Sequence, residues 1–249
     1  MTPEKEPMTA KEERVLRILL PGQADFVIEQ LADPMPGGQT ATPEIVDSYR
    51  GRVSDFIVQL WEQFGFASFH NGLLKLTNPT DYTDYLSWWL STSPLPEHDN
   101  YHVVARGPFG TLCVWAERTS RWFTVDVSHG LVAVATVDVK EGPANEFQEL
   151  QRFRSFLKRT APPHPDYPNQ ISRLDVANGQ GHSFYNDCVA EYGPLTDPTQ
   201  VFGFAPYLFL DDGGVDVKNV ERVDEFVQMD LIRDFMGEPK FVDISTYPG

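Results

Sequence analysis

Cys113 and His102 could supply a thiol nucleophile and its base. In a symmetric hairpin about GPFG (107–110) they share one face with Val104 and Trp115. That face is apolar, so a buried inert thiol fits the same pattern. Cys188, within FYNDCVA, reads the same way. His98 and His102 are four apart, a metal-binding spacing on a helix, but EHDNY crosses from a loop into a strand. His164 lies among prolines and His182 stands alone. The DDGGVD run (211–216) lacks the alternating ligands and closing glutamate of a calcium loop and reads as an acidic turn. Asn178-Gly-Gln-Gly181 offers Gly-x-Gly, but Phe184 takes the third glycine's place and no apolar strand precedes it. There is no Gly-x-Ser-x-Gly and no phosphate-loop lysine. The expectation is a protein that is not an enzyme, with no catalytic, cofactor-binding or metal-binding set.

The elements that would position these residues follow from periodicity and punctuation. Thr42-Pro43-Glu44 opens a short helix. Ser54 caps the next, where Phe56, Ile57, Leu60, Trp61 and Phe64 share a face and Gly65 ends it. GLLKLTN reads as a strand. Asn78 and Pro79 open a further helix, with Tyr82, Tyr85, Leu86, Trp89 and Leu90 at i, i+3, i+4, i+7, i+8. YHVVAR, TLCVWAE, RWFTVDV and LVAVATV then form a four-stranded antiparallel meander, joined at GPFG and SHG. Phe147, Leu150, Phe153 and Leu157 make a helical stripe.

Four prolines within APPHPDYPNQ mark a boundary. The expected divisions are an arm at 1–22, a main domain at 23–160, a linker at 161–178 and a C-terminal domain at 179–249. The last part reads as helix (182–191), a strand pair VFGFAP and YLFL, the acidic turn, a helix over 219–235 and the strand KFVDI. In that last helix Val220, Val223, Val227, Leu231 and Phe235 form a stripe beside Asp224, Asp230 and Asp234. Either it breaks near Asp230 or those acids face a partner or solvent. The fold class is α+β: an antiparallel sheet with helices packed on one side, plus a smaller α/β C-terminal module.

Charge narrows the partner. The 249 residues hold 36 acids against 20 Lys and Arg, a net charge of −16. Binding nucleic acid through its phosphates, or an anionic membrane, is disfavoured. A basic protein partner is favoured, with simple solubility as the plainer reading. Residues 175–249 carry fourteen acids and four bases, so the C-terminal part holds most of the imbalance. Asp211, Asp212, Asp216, Glu221, Asp224 and Glu225 are the candidate partner-binding residues. Two cysteines form no disulfide framework, the charged N-terminus is unlike a signal peptide, and the most apolar tract, Leu131 to Val139, reaches only nine residues. The expected compartment is a reducing cytoplasm.

The order of motifs resembles a known family. PEIVDSYRG followed by LWEQFGFASFHNGLLKLTNPTDY resembles the GAD-like domain of bacterial proteins, through Tyr49, Gly51, Trp61, Gly65, Gly72, Leu73, Asn78, Pro79 and Tyr82. HVVARGPFGTLCVWAE extends the resemblance through His102, Arg106, Phe109, Gly110 and Trp115. From about 185 to 240 the chain resembles the C-terminal domain of type VI secretion immunity proteins. Gly193-Pro194-Leu195, Phe202 (tyrosine in the family pattern), Gly203-Phe204, Pro206 and Gly237-Glu238-Pro239 carry that likeness. The resemblance implies a cytoplasmic immunity protein that binds a cognate toxin, a basic DNase, and blocks its active site or DNA-binding surface. An acidic adaptor or regulator with another partner, and a Cys113/His102 hydrolase, are the competing classes.

Overall fold

Residues 33–134, 148, 182–210 and 215–243 are described by a computed structural model. The expected arm at 1–22, a helix also expected from ADFVIEQLA (24–32), the 147–157 stripe apart from Gln148, and the 161–178 linker lie outside them.

Local sequence signals set the first elements. Helix α1 (Pro43–Tyr49) begins with proline at its first turn, and Thr42 adds no side-chain cap. Ser54 Oγ accepts from the Phe56 amide at the head of α2 (Asp55–Phe64), and Gly65 at φ +64 closes it. Its buried side is Ile57, Val58, Leu60 and Trp61. Strands β1 (Ser68–Phe69) and β2 (Leu74–Leu76) form a short antiparallel pair. Asn78 accepts from the Thr80 amide at the start of a 3-10 turn, Pro79–Tyr82, which runs into α3 (Thr83–Leu90).

The expected meander is β3 (Tyr101–Arg106), β4 (Leu112–Ala116), β5 (Arg121–Asp126) and β6 (Leu131–Val134). A bulge between Val103 and Ala105 offsets β3 against β4. The full sheet has the order β1-β2-β3-β4-β5-β6-β9, where β9 is Lys240–Asp243 and lies parallel to β6. The fold is α+β, as expected, but helices cover both faces. Val104, Cys113 and Trp115 pack beneath Ile57, Leu60 and Trp61 of α2. Val103, Leu112 and Val114 point the opposite way, toward Leu86 and Trp89 of α3. Each face presents an apolar row, and each row needs cover.

The C-terminal residues supply part of that cover. Helix α4 (His182–Tyr192) sits beside a separate two-stranded ribbon, β7 (Gln200–Phe204) with β8 (Val220–Asp224). Helix α5 (Glu225–Met236) follows, and its Met229 and Ile232 join the core under β3–β6. Three sequence expectations change here. YLFL is not a strand; the partner of β7 is VERVD, a segment expected to be helical. The helix starts at 225 because Asp224 Oδ1 accepts from the amides of Phe226 (2.9 Å) and Val227 (3.1 Å), an N-cap that fixes the boundary. It does not break at Asp230. Because β9 completes the main sheet, the C-terminal residues are built into the same core as the N-terminal ones.

Candidate protein-binding face

Both cysteines are buried. Cys113 is 1% exposed, and burial pushes its thiol up to about 12. His102 shares its sheet face but turns to Glu117, with Nε2 2.9 Å from Oε2. Burial holds that imidazole below its usual range, against the opposing pull of the Glu117 hydrogen bond. Arg52 reaches the same carboxylate at 3.1 Å. Cys188 is fully buried and also pushed up to about 12, by burial first and by Asp187 second. Among the described residues no group of three or more His, Cys, Asp or Glu side chains is placed to hold a metal. No described helix is long and apolar enough to cross a membrane.

The six partner-binding candidates part company. Asp211 and Asp212 lie outside the described residues. Asp216 caps a one-turn 3-10 helix, accepting from the Lys218 amide, and its other oxygen is 2.9 Å from Lys218 Nζ. The hydrogen bonds from Lys218 hold its carboxyl below the ordinary range. Glu221 is exposed on β8. Asp224 is the α5 cap. Glu225, expected among the exposed acids, is 2% exposed and therefore closed to any surface partner.

Glu225 is the centre of a buried charged cluster. Lys75 Nζ donates to its Oε1 at 2.7 Å, and Tyr82 Oη donates to its Oε2 at 2.8 Å. Arg106 Nε lies 2.5 Å from the same Oε2, an ion contact without hydrogen-bond geometry. The Arg106 Nη2 donates to the carbonyls of Pro198 and Gln200, both at 2.8 Å. Desolvation lowers the Lys75 pKa, partly offset by Glu225. Burial also raises the Tyr82 hydroxyl well above its usual value, with the Glu225 charge adding to it. Sequence reasoning placed Glu225 with its neighbours because all are carboxylates in one acidic run. Only the tertiary partners, from β2, β3 and the Pro79–Tyr82 turn, separate it.

Several of the quoted motif residues line this junction. Gly72, at φ +93, lets Leu195 approach so closely that a Cβ there would sit 2.5 Å from the Leu195 Cβ. The Leu195 amide donates to the Asn71 carbonyl, and Tyr185 Oη donates to the same carbonyl at 2.8 Å. Phe109 packs against Phe184, Phe202 and Phe204 with ring centres 5.5–5.9 Å apart. The Phe202 amide bonds the Pro108 carbonyl. Thus Gly72, Tyr82, Arg106 and Phe109 are the seat on which the C-terminal residues are built.

A groove on the far side of α5 is the described surface that stands out. Gly203, Phe204 and the nearly buried Gln228 form its base, and Tyr207, Leu231 and Phe235 its walls. Its volume is about 350 Å³. A Cβ on Gly203 would meet Val223 at 2.7 Å and Gln228 at 3.1 Å, so glycine keeps this base low.

Residues 24–129 match the family model described as GAD-like domain. No curated protein matches the chain. Among solved structures, Atu4351 from Agrobacterium tumefaciens is similar in fold. Its TM-score is 0.64 at 15% identity, over 85% of this chain and 87% of that one. Over 24–129, from before α1 to the turn after β5, the chain therefore carries a GAD-like domain.

Proposed function

We propose that this protein is a type VI secretion immunity protein, which binds a cognate toxin in the cytoplasm and neutralises it, the toxin being a basic DNase. The supporting observation is the GAD-like domain, whose motif residues seat a C-terminal segment resembling the immunity-protein domain. The −16 charge fits a partner whose own surface must attract DNA. An acidic inhibitor meets such a surface with complementary potential and gains on-rate from it. The protein in this reading contributes no bond-making chemistry; it occludes the toxin's active site or its DNA track.

The test is co-expression with a nuclease encoded beside this gene. The wild-type chain should restore growth, co-purify with the nuclease and stop DNA cleavage by the purified enzyme. Cys113→Ala and His102→Gln variants that remain folded should protect equally well. A neighbouring nuclease that is neither bound nor inhibited would reject the reading. Loss of protection in the folded Cys113 or His102 variants would favour a chemical role instead.

A further inference from the structure

Helix α5 has two apolar faces. Met229 and Ile232 fill the core. Val227, Leu231 and Phe235 recur every fourth residue along the opposite face, at 56%, 44% and 69% exposure. These three, with Leu210 at 44%, are the exposed large apolar side chains among the described residues, and all four line the one groove. Scattered apolar residues on a surface need no explanation, but convergence on one concavity marks an interaction site.

The single charged residue lining the groove is acidic, a second acid flanks it on α5, and nearby bases neutralise neither. Glu221 lines the groove, and Asp234 is exposed on α5 beside Phe235. Neither has a basic partner among the described residues. Strand alternation sends Arg222 to the other side of β8, away from Glu221 and Val223. Arg233 pairs with Asp230 at 2.8 Å and stands over the Tyr85 ring, 5.6 Å from its centre, on the core side of the helix. A second copy of this chain would bring the same two acids, within a net −16 molecule, against themselves. Charge complementarity selects a basic occupant.

We propose that this groove receives a basic amphipathic segment of the partner, with an aliphatic or aromatic anchor between Leu231 and Phe235 and Lys or Arg meeting Glu221 and Asp234. It rests on the immunity reading only in naming the toxin as the source of that segment. The mode is helix-in-groove recognition, in which one or two buried anchors carry most of the affinity and the charged rim sets orientation and partner choice.

The probe is a fluorescein-labelled synthetic helix-forming peptide with leucines and one phenylalanine along one face and lysines along the other. A twin carries glutamate for every lysine. Fluorescence anisotropy with the full chain should show the lysine peptide binding at least about tenfold tighter than its twin. The amide resonances of Gly203 and Gln228 should shift. The double variant Leu231→Ser with Phe235→Ser removes only exposed side chains, so circular dichroism should show it folded while binding weakens about tenfold or more. Glu221→Gln with Asp234→Asn should narrow the difference between the two peptides. No binding, shifts elsewhere, or binding indifferent to the double variant would overturn the proposal. So would a dimer in sedimentation that the double variant dissociates, because the occupant would then be a second copy. Peptide binding that appears only after residues 1–22 are deleted would overturn it in favour of the chain's own segment. None of these readouts uses the toxin, so failure of the groove and failure of the immunity reading are distinguishable.

Discussion

Lys75 and Glu225 stand 150 residues apart in the chain, yet the Lys75 Nζ and the Glu225 Oε1 are 2.7 Å apart in the interior. Arg106 and Tyr82 engage the other carboxylate oxygen. One anion thus holds two cations and a phenol that belong to the GAD-like domain, from the first residue of α5. Such a cluster is stable only as a set, because each member left without its partner keeps its desolvation cost.

Glu225→Gln preserves the shape and removes the charge. Lys75 and Arg106 are then left facing each other without compensation. Removing one partner from a buried pair typically costs about 3–5 kcal/mol, and this variant should fall in that range by urea denaturation. At about 2–4 °C per kcal/mol for a chain of this size, the melting temperature should drop by roughly 6–20 °C. A loss below about 1 kcal/mol would show that the cluster is not a stabilising unit.

The sequence reads 161–178 as a linker, so trypsin is expected to nick the chain there, after Arg173. The expectation from sequence was two separable modules. The β6–β9 pairing and the shared core argue that a nicked chain stays assembled. The two fragments should co-elute in gel filtration under native conditions and part only in denaturant. Independent elution as two folded pieces would restore the modular reading.

Gly72→Ala places a methyl group where the Leu195 Cβ already lies, at a backbone φ of +93. Strain of this kind costs on the order of 1–3 kcal/mol. Thermal denaturation should show that loss, and pairing it with Leu195→Gly, which removes the Cβ in the way, should recover part of it, because the two sites touch. Strict additivity of the two changes would mean that they do not share a contact.

Two histidines should titrate in opposite directions. His129 is raised by its hydrogen bond to Asp126, so its contribution is present at low pH and is lost as pH rises through its folded value, above 6.5. His102 is lowered by burial, so its contribution is present above 6.5 and is lost as pH falls through its folded value. NMR titration of the ring protons should place the His129 midpoint above 6.5 and the His102 midpoint below it. In urea titrations at several pH values, His102→Gln should flatten the acid side of the stability profile. Identical acid limbs for wild type and variant would remove His102 as its cause.

Both cysteines should be silent toward an aromatic disulfide reagent at neutral pH. Their thiols are raised to about 12 by burial, so almost none is present as thiolate. Two thiols should appear only on denaturation. Rapid reaction of either in the native protein would show that its site opens to solvent.

The amino-acid sequence by itself determined the local structure. Ser54 and Asn78 announce their helix starts, and the spacing of Ile57, Leu60 and Trp61 gives the buried side of α2. Alternating strands around GPFG and SHG give the meander. These signals lie within a few residues of one another, so short-range sterics and patterning settle them. The long-range choices were decided by the tertiary structure. Val220, Val223 and Val227 suit a helical stripe as well as a strand running into a helix, and the β7 pairing together with the Asp224 cap selects the second. Asp224 and Glu225 are adjacent carboxylates with the same sequence signal, yet one caps a helix at the surface and the other is buried among cations. Likewise α5 carries apolar residues on two faces, and periodicity alone does not say which is core. The sheet covers Met229 and Ile232 and leaves Leu231 and Phe235 exposed, because only one side of a helix can lie against one surface.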